Sequence, residues 1–200
     1  MPIMDPLFAF LLAALALTGS PGPNTLSAAA VGASFGRMRG LNYIAGLCLG
    51  VMLVAMLVGT GISGAMLALP GVIPVITMLA IAYFLYLAWK IATAPALGEL
   101  DQTTTAPPRW LDGVAVSLVN PKAYAAMAAL FSGHVLMSGA PVTDALWKGL
   151  LILCVIIVVN LAWLTIGAEL ARHLRSPRTA RIVNLGFAAL LIVSVVPLAL

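Results

Sequence analysis

Charged residues are scarce in this sequence. Only 8% of the 200 residues are Asp, Glu, Lys or Arg, and 62% are hydrophobic, whereas a soluble domain is about half apolar and about a quarter charged. Residues 40–89, 149–168 and 182–200 contain no charge at all. A run of about 20 apolar residues is enough to cross a bilayer, and a soluble fold of this length could not bury so much apolar surface. The sequence therefore predicts an integral membrane protein.

The sequence also has few cysteines and no nucleotide-binding motif. The two cysteines, Cys48 and Cys154, lie in separate apolar runs, without a CxxC pattern or a Cys/His cluster, so no disulfide framework or zinc site is indicated. The sequence has no GxxxxGK[ST] loop, which excludes ATP hydrolysis by this chain. The first residues lack the positive charge that begins a signal peptide, so the first apolar run is predicted to stay as a membrane helix. Neither an enzyme nor a bound cofactor is expected.

Hydropathy and turn residues divide the chain into six predicted membrane helices. The predicted spans are 7–31, 41–64, 72–89, 113–133, 149–168 and 182–199. Helices are predicted because every backbone polar group in hydrocarbon must be bonded within its own segment or a closed barrel. Basic residues such as Arg37, Lys90, Arg109 and Arg181 fall in or beside the first, third and fifth loops. The positive-inside rule places those loops in the cytoplasm and both termini outside.

The same charge pattern bears on partners. Basic residues form short clusters between apolar runs rather than one basic amphipathic face, so membrane lipid is the expected surrounding and nucleic acid is not an expected partner. Helix faces rich in small residues permit close packing and a homodimer without requiring one.

The chain is predicted to form one transmembrane transporter domain, residues 1–200, made of two related halves. The first half is 1–92, the polar segment 93–110 is a linker, and the second half is 111–200. Because each half has three spans, tandem copies would insert in opposite orientations and form an inverted repeat. The predicted fold class is thus an all-α membrane protein of two inverted three-helix repeats.

Two of the six predicted helices, the first and the fourth, contain interruptions at matching places. The sequence Gly19–Asn24 reads GSPGPN, and Asn120–Lys122 reads NPK. Proline removes a backbone donor and glycine allows close approach, so carbonyls near Ser20 are free to bind a cation or an ammonium group. A single proline kink can also be simple packing, but paired breaks are the sequence pointer to a transporter's binding site. The predicted helix-break and gating residues are Pro21, Gly22, Pro23 and Pro121.

Lys122 stands near the centre of the fourth predicted span. An intramembrane lysine costs about 2.5–3.5 kcal/mol on insertion scales and usually faces a cavity or a pathway. Snorkelling to the interface is the alternative, yet about nine residues, or roughly 14 Å of helix, flank it on either side. Its ammonium can pair with a substrate carboxylate. Lys122, Asn24 and Asn120 are therefore predicted to bind substrate at mid-membrane.

The residues resemble the LysE/RhtB family of amino-acid exporters over most of the chain. The matching blocks are SPGPNTLSAAAVGASFGRMRGLNYIAGLCLG, AYFLYLAWKI and WLDGVAVSLVNPKAYAAMAALF. Family motif positions fall on Pro21, Gly22, Pro23, Asn24, Gly36, Arg37, Gly40, Gly46, Gly50, Tyr83, Gly113, Asn120, Pro121 and Lys122. One departure is Ala88, where the family usually has glycine.

The resemblance carries functional expectations. It implies a six-helix inner-membrane exporter of amino acids or their derivatives, driven by the proton motive force, with protons as the coupling ion. It adds Tyr83 as a residue that binds or orients the substrate. The residues themselves predict a mid-membrane site for a charged solute, and the direction of travel comes from the resemblance.

Two other functions compete with amino-acid export. A transmembrane thiol–disulfide electron carrier would use Cys48 and Cys154, one in each half, but neither adjoins a helix break or a charge that would lower a thiol pKa. A metal-cation exporter would need carboxylates or thiolates inside the membrane, and the predicted spans contain no Asp or Glu.

Overall fold

A computed structural model describes residues 4–61, 72–93, 107–173 and 177–195. Within those ranges the chain forms seven α-helices and no strand, so the all-helical class is confirmed for that part of the protein. The helices are α1 (Met4–Gly19), α2 (Pro23–Gly59), α3 (Val72–Ala92), α4 (Trp110–Leu118), α5 (Pro121–Gly133), α6 (Pro141–His173) and α7 (Pro177–Val195). Most of the predicted linker 93–110 lies outside the described residues.

Two of these helices are each long and apolar enough to cross a membrane. They are α2, with 37 residues, and α6, in which Pro141–Ala171 passes the test. Helices α4 and α5 meet at a bend of 67° and pass the same test when taken together. Length and composition of the described residues thus support two spans, or three with the bent pair, in a chain for which six were predicted.

The predicted first loop, between residues 31 and 41, is replaced by a kink within α2. Helical structure runs from Pro23 to Gly59, and the one non-helical residue inside it is Gly36, with φ 77° and ψ 173°. Glycine adopts such a positive φ without the steric cost that a side chain would add. The chain therefore changes direction in one residue, and the expectation of a longer loop around Arg37 was wrong.

Helix α6 starts eight residues earlier than predicted because two opposite charges neutralise each other in its first turns. Asp144 and Lys148 are 8% and 3% exposed, and Lys148 Nζ lies 2.6 Å from Asp144 Oδ2. Lys148 also donates to the Phe131 carbonyl at 3.1 Å, and Asp144 Oδ1 accepts the Leu136 and Met137 amides at 2.6 and 2.8 Å. The pair fastens the end of α5 to the start of α6.

Helix α2 lies at the centre of the fold and packs closely on α4 and α6. A Cβ on Gly46 would overlap the Trp110 carbonyl, and one on Gly113 would overlap the Tyr43 carbonyl. Reciprocal contacts of the same kind join α2 to α6, at Gly32 and Gly167. Small residues let membrane helices approach this closely. The backbone of α2 therefore packs directly against the backbones of α4 and α6 at these glycines.

Two ion pairs mark one end of the molecule. Arg37 pairs with Glu169, which joins α2 to α6 beside the Gly36 kink. Lys90 Nζ lies 3.9 Å from Asp112 Oδ2, which joins the end of α3 to the start of α4. We call the end that carries Arg37, Lys90 and Arg109 the basic end, and the end that carries the Asp144–Lys148 pair the opposite end.

Candidate solute site at the two helix breaks

The first break lies between Gly19, where α1 ends, and Pro23, where α2 begins. Thr25 stabilises the new helix end, because its hydroxyl oxygen accepts the Gly22 amide at 2.9 Å and lies 3.1 Å from the Gly22 carbonyl. The indole of Trp163 on α6 donates to the Gly19 carbonyl at 3.1 Å. Proline supplies no backbone donor, and the Gly19, Ser20 and Pro21 carbonyls accept hydrogen bonds from side chains. The Gly22 carbonyl accepts the Leu26 amide at 2.8 Å.

The second break lies between Leu118 and Pro121. Asn120 caps α5, since its Oδ1 accepts the Lys122 amide at 3.1 Å, and Pro121 occupies the first helical position. Asparagine is a preferred N-cap and proline a preferred first residue of a helix. The NPK sequence therefore begins a new helix at the 67° bend.

The two breaks meet through a chain of hydrogen bonds. Asn120 Nδ2 donates to Asn24 Oδ1 at 2.9 Å, and Asn24 Nδ2 donates to Ser117 Oγ at 3.0 Å. The Ser117 hydroxyl then donates to the Leu47 carbonyl on α2 at 3.0 Å. Two of the residues predicted to bind substrate, Asn24 and Asn120, are thus in direct contact. Ser117 was not predicted, although a hydroxyl three residues before Asn120, at the end of the helix that precedes the break, is a signal that could have found it.

Lys122 connects the breaks a second time through its ammonium. Its Nζ donates to the Ser20 carbonyl at 2.5 Å, to Ser20 Oγ at 2.8 Å and to the Pro21 carbonyl at 3.1 Å. A cation is favoured there because the last carbonyls of α1 have no helical partners and the helix dipole is negative at that end. A Cβ on Gly22 would lie 2.8 Å from Lys122 Cδ, so glycine leaves room for the lysine side chain to reach these oxygens.

A small cavity lies beside this junction. It has a volume of about 40 Å³ and is lined by residues of both breaks together with Val51, Met127, Ile156 and Asn160. That volume holds about three water molecules at roughly 10–15 Å³ each. Lys122 is the one charged residue among the described residues that line it. A cavity of this polarity attracts an anionic group such as a carboxylate.

Tyr83 is not among the residues that line the cavity. Its hydroxyl donates to the Asp112 backbone carbonyl at 2.8 Å, next to the Lys90–Asp112 pair at the basic end. The structure therefore brings Asn24, Asn120 and Lys122 together and places Tyr83 against the first turn of α4.

Comparison with known families identifies one family over most of the chain. The model of the LysE type translocators matches residues 15–200, a range that includes both breaks and every helix from the end of α1 onward. The chain belongs to the LysE type translocator family. It is therefore a membrane transport protein of a family whose members are transporters rather than enzymes, and the resemblance drawn from the sequence is confirmed.

Several efflux proteins are similar to this translocator. It is 27% identical over 190 residues to the homoserine/homoserine lactone efflux protein of Salmonella typhimurium, which covers 92% of this chain and 90% of that protein. It is 38% identical over 81 residues to the cysteine/O-acetylserine efflux protein of Salmonella typhi, which covers 40% of this chain and 41% of the relative. The match thus spans about two fifths of the length of that second relative. No solved structure matches the translocator.

Proposed function

We propose that this translocator exports amino acids or their derivatives from the cytoplasm, by alternating access around the cavity at the two helix breaks. The observation that carries the proposal is the Lys122 ammonium, bound to the oxygens of Ser20 and Pro21 in a cavity that no described acidic side chain lines. The efflux proteins to which the chain is similar support export, and the family resemblance supports proton coupling. Basic residues near the Gly36 kink and α4 support a cytoplasmic basic end.

The proposed architecture has six spans in two inverted halves. In the first half, α1 and the first segment of α2 (residues 23–35) form a broken span, the second segment of α2 (residues 37–59) forms the next, and α3 the third. In the second half the corresponding elements are α4 with α5, then α6, then α7. Two observations support this pairing. Each broken span resumes at a proline, Pro23 or Pro121, and an asparagine lies beside each of those prolines.

A zwitterionic amino acid fits the site by exchange. Its carboxylate pairs with Lys122 Nζ, and its ammonium takes over the Ser20 and Pro21 oxygens that Lys122 leaves. A zwitterion leaves the net charge of the cavity unchanged, and every charged group keeps a partner. The exchange therefore avoids the large penalty of burying an unpaired charge. Asn24 and Asn120 hold the two breaks at the distance that this exchange needs.

The cavity volume supports a conformational cycle. About 40 Å³ holds about three water molecules but not an amino acid together with its water, so the helices separate in the proposed cycle to admit the solute. Tyr83 has a proposed part in that step, because its bond to the Asp112 carbonyl ties α3 to α4.

Transport in proteoliposomes tests the proposal. Proteoliposomes that contain the purified protein would be loaded with radiolabelled homoserine or cysteine. Efflux would be followed with and without an imposed proton gradient. Lys122→Gln should reduce efflux by about 10- to 100-fold, since a hydrogen bond to a charged group contributes about 1.5–3 kcal/mol. Asn24→Ala should also reduce it, and an uncoupler should abolish uphill efflux.

Lys90→Gln is the matched control, because Lys90 lies at the basic end and is not among the residues that line the cavity. Its efflux should stay within about twofold of the wild-type rate, as expected for a weak and partly exposed ion pair. Wild-type efflux from a correctly inserted Lys122→Gln protein would refute the site. Absence of efflux of any amino acid by the wild-type protein would refute the function.

A further inference from the structure

The hydroxyl of Tyr43 is buried without a partner. Tyr43 is 0% exposed, and none of the described residues forms a hydrogen bond with its hydroxyl. Ser27 is its nearest polar neighbour, but the Ser27 hydroxyl donates to the Asn24 carbonyl at 2.9 Å and is not placed to accept the Tyr43 proton. Buried polar groups nearly always have a partner, so an exception calls for an explanation.

Tyr43 lies one helical turn from the solute site, in the direction of the basic end. Leu47, whose carbonyl accepts Ser117, is four residues after Tyr43 on α2, and four residues of helix span about 6 Å. Ser27 is likewise about one turn beyond Asn24. On α4, Gly113 lies against the Tyr43 backbone, one turn before Ser117. The segments that carry Ser27, Tyr43 and Gly113 therefore meet about one helical turn from the cavity, on the side of the basic end.

This region is closed and yet contains polar side chains. Every residue from Thr25 to Phe35 is buried, including Ser27 and Ser34, both 0% exposed. These two serines are seven residues apart and so share one face of the helix. Ser34 donates to Asn184 Oδ1 on α7 at 3.2 Å. Packing between membrane helices accounts for a bonded serine, but it does not account for the unpartnered hydroxyl of Tyr43.

We infer that the face of α2 carrying Ser27 and Ser34, together with Tyr43, lines the basic-end half of the solute pathway, which is closed in this structure. When that half opens, water or solute reaches the Tyr43 hydroxyl and supplies its missing hydrogen bond. The hydroxyl thus disfavours the closed arrangement and favours opening toward the basic end. This inference rests on the proposed transport function, and it names pathway residues distinct from those at the breaks.

Labelling of introduced cysteines tests the pathway. The background is Cys48→Ala/Cys154→Ala, because these are the two native cysteines. Ser27→Cys and Ser34→Cys would each be treated with a membrane-impermeant methanethiosulfonate in oriented vesicles, without added solute. Both thiols should react when the reagent is on the side of the basic end and stay protected when it is on the other side. The control retains Cys154, which is exposed on the surface of α6 and should face lipid and stay unreactive.

The role of Tyr43 has a separate readout. Tyr43→Phe removes the unpartnered hydroxyl, so it should slow labelling of Ser27→Cys at least fivefold, the lower end of the effect expected for an unsatisfied buried group. Tyr86→Phe, which changes an exposed tyrosine on α3, should leave the labelling rate unchanged.

The possible failures are distinguishable. If Ser27→Cys and Ser34→Cys proteins transport homoserine but neither reacts from the basic-end side, the pathway is wrong while the transport function stands. If Tyr43→Phe leaves labelling unchanged, the role of its hydroxyl is wrong. If the wild-type protein carries out no amino-acid efflux, the transport function itself has failed.

Discussion

The buried pair formed by Asp144 and Lys148 gives a sharp test of the packing between α5 and α6. The two side chains are 11% and 4% exposed, and each has further partners, the Phe131 carbonyl for the ammonium and the Leu136 and Met137 amides for the carboxylate. Removing one member of a buried pair leaves the other charge uncompensated, which costs about 3–5 kcal/mol. Lys148→Met should therefore lower the free energy of unfolding by about that amount.

A double-mutant cycle measures the interaction. Asp144→Asn should also destabilise the protein, because the ammonium would keep only the Phe131 carbonyl. The double variant should lose less than the sum of the single losses, with a coupling energy of about 0.5–3 kcal/mol. Unfolding would be followed in detergent by circular dichroism over a denaturant series. Arg37→Gln is the comparison, since Arg37 and Glu169 are 49% and 33% exposed and such a pair contributes about 1 kcal/mol or less.

Two results would contradict this reasoning. A Lys148→Met protein as stable as Arg37→Gln would mean that the pair is solvated in the folded protein. Strict additivity in the cycle would mean that the two charges do not interact.

The remaining predictions concern glycines and cysteines. Gly46→Ala should destabilise the protein, because its Cβ would overlap the Trp110 carbonyl and overpacking costs about 1–3 kcal/mol or more. The control is Gly186→Ala, whose Cβ would meet nothing within 4 Å. It should be neutral or stabilising in the same unfolding assay. Gly36→Ala should cost about 1–2 kcal/mol, since its φ of 77° is unfavourable for a side chain, and a shift below 1 °C in thermal unfolding would contradict it. Cys48→Ser/Cys154→Ser should retain efflux, and its loss would revive the electron-carrier alternative.

Much of the architecture could be predicted from what hydrocarbon requires. The absence of charge over long stretches predicts apolar helices, and α3 begins at Val72 and ends within three residues of the predicted boundary. Proline and asparagine predict the two breaks, because their effects are local to the backbone. Asn24 and Asn120 could be assigned to one predicted site because each lies beside one of the two breaks.

Contacts between distant segments could not be predicted in the same way. The sequence shows that carbonyls near Ser20 lack donors and that Lys122 lacks a partner, but spacing alone does not show that the two meet. The buried position of Tyr43 depends on the close approach of α4 at Gly113, a tertiary contact. The early start of α6 depends on a charge pair, whereas a hydropathy count treats Asp144 only as a residue that ends an apolar run.

The Lys122 ammonium on the Ser20 and Pro21 oxygens has a consequence for inorganic ions. A cage of oxygens in a membrane protein is also a binding site for Na⁺ or K⁺, and an empty carrier that bound such ions would leak them down their gradients. Here the competing cation is tethered to the protein, so it returns to these oxygens without having to be captured from solution. In the proposed transport cycle, the return step would therefore carry no metal ion across the membrane.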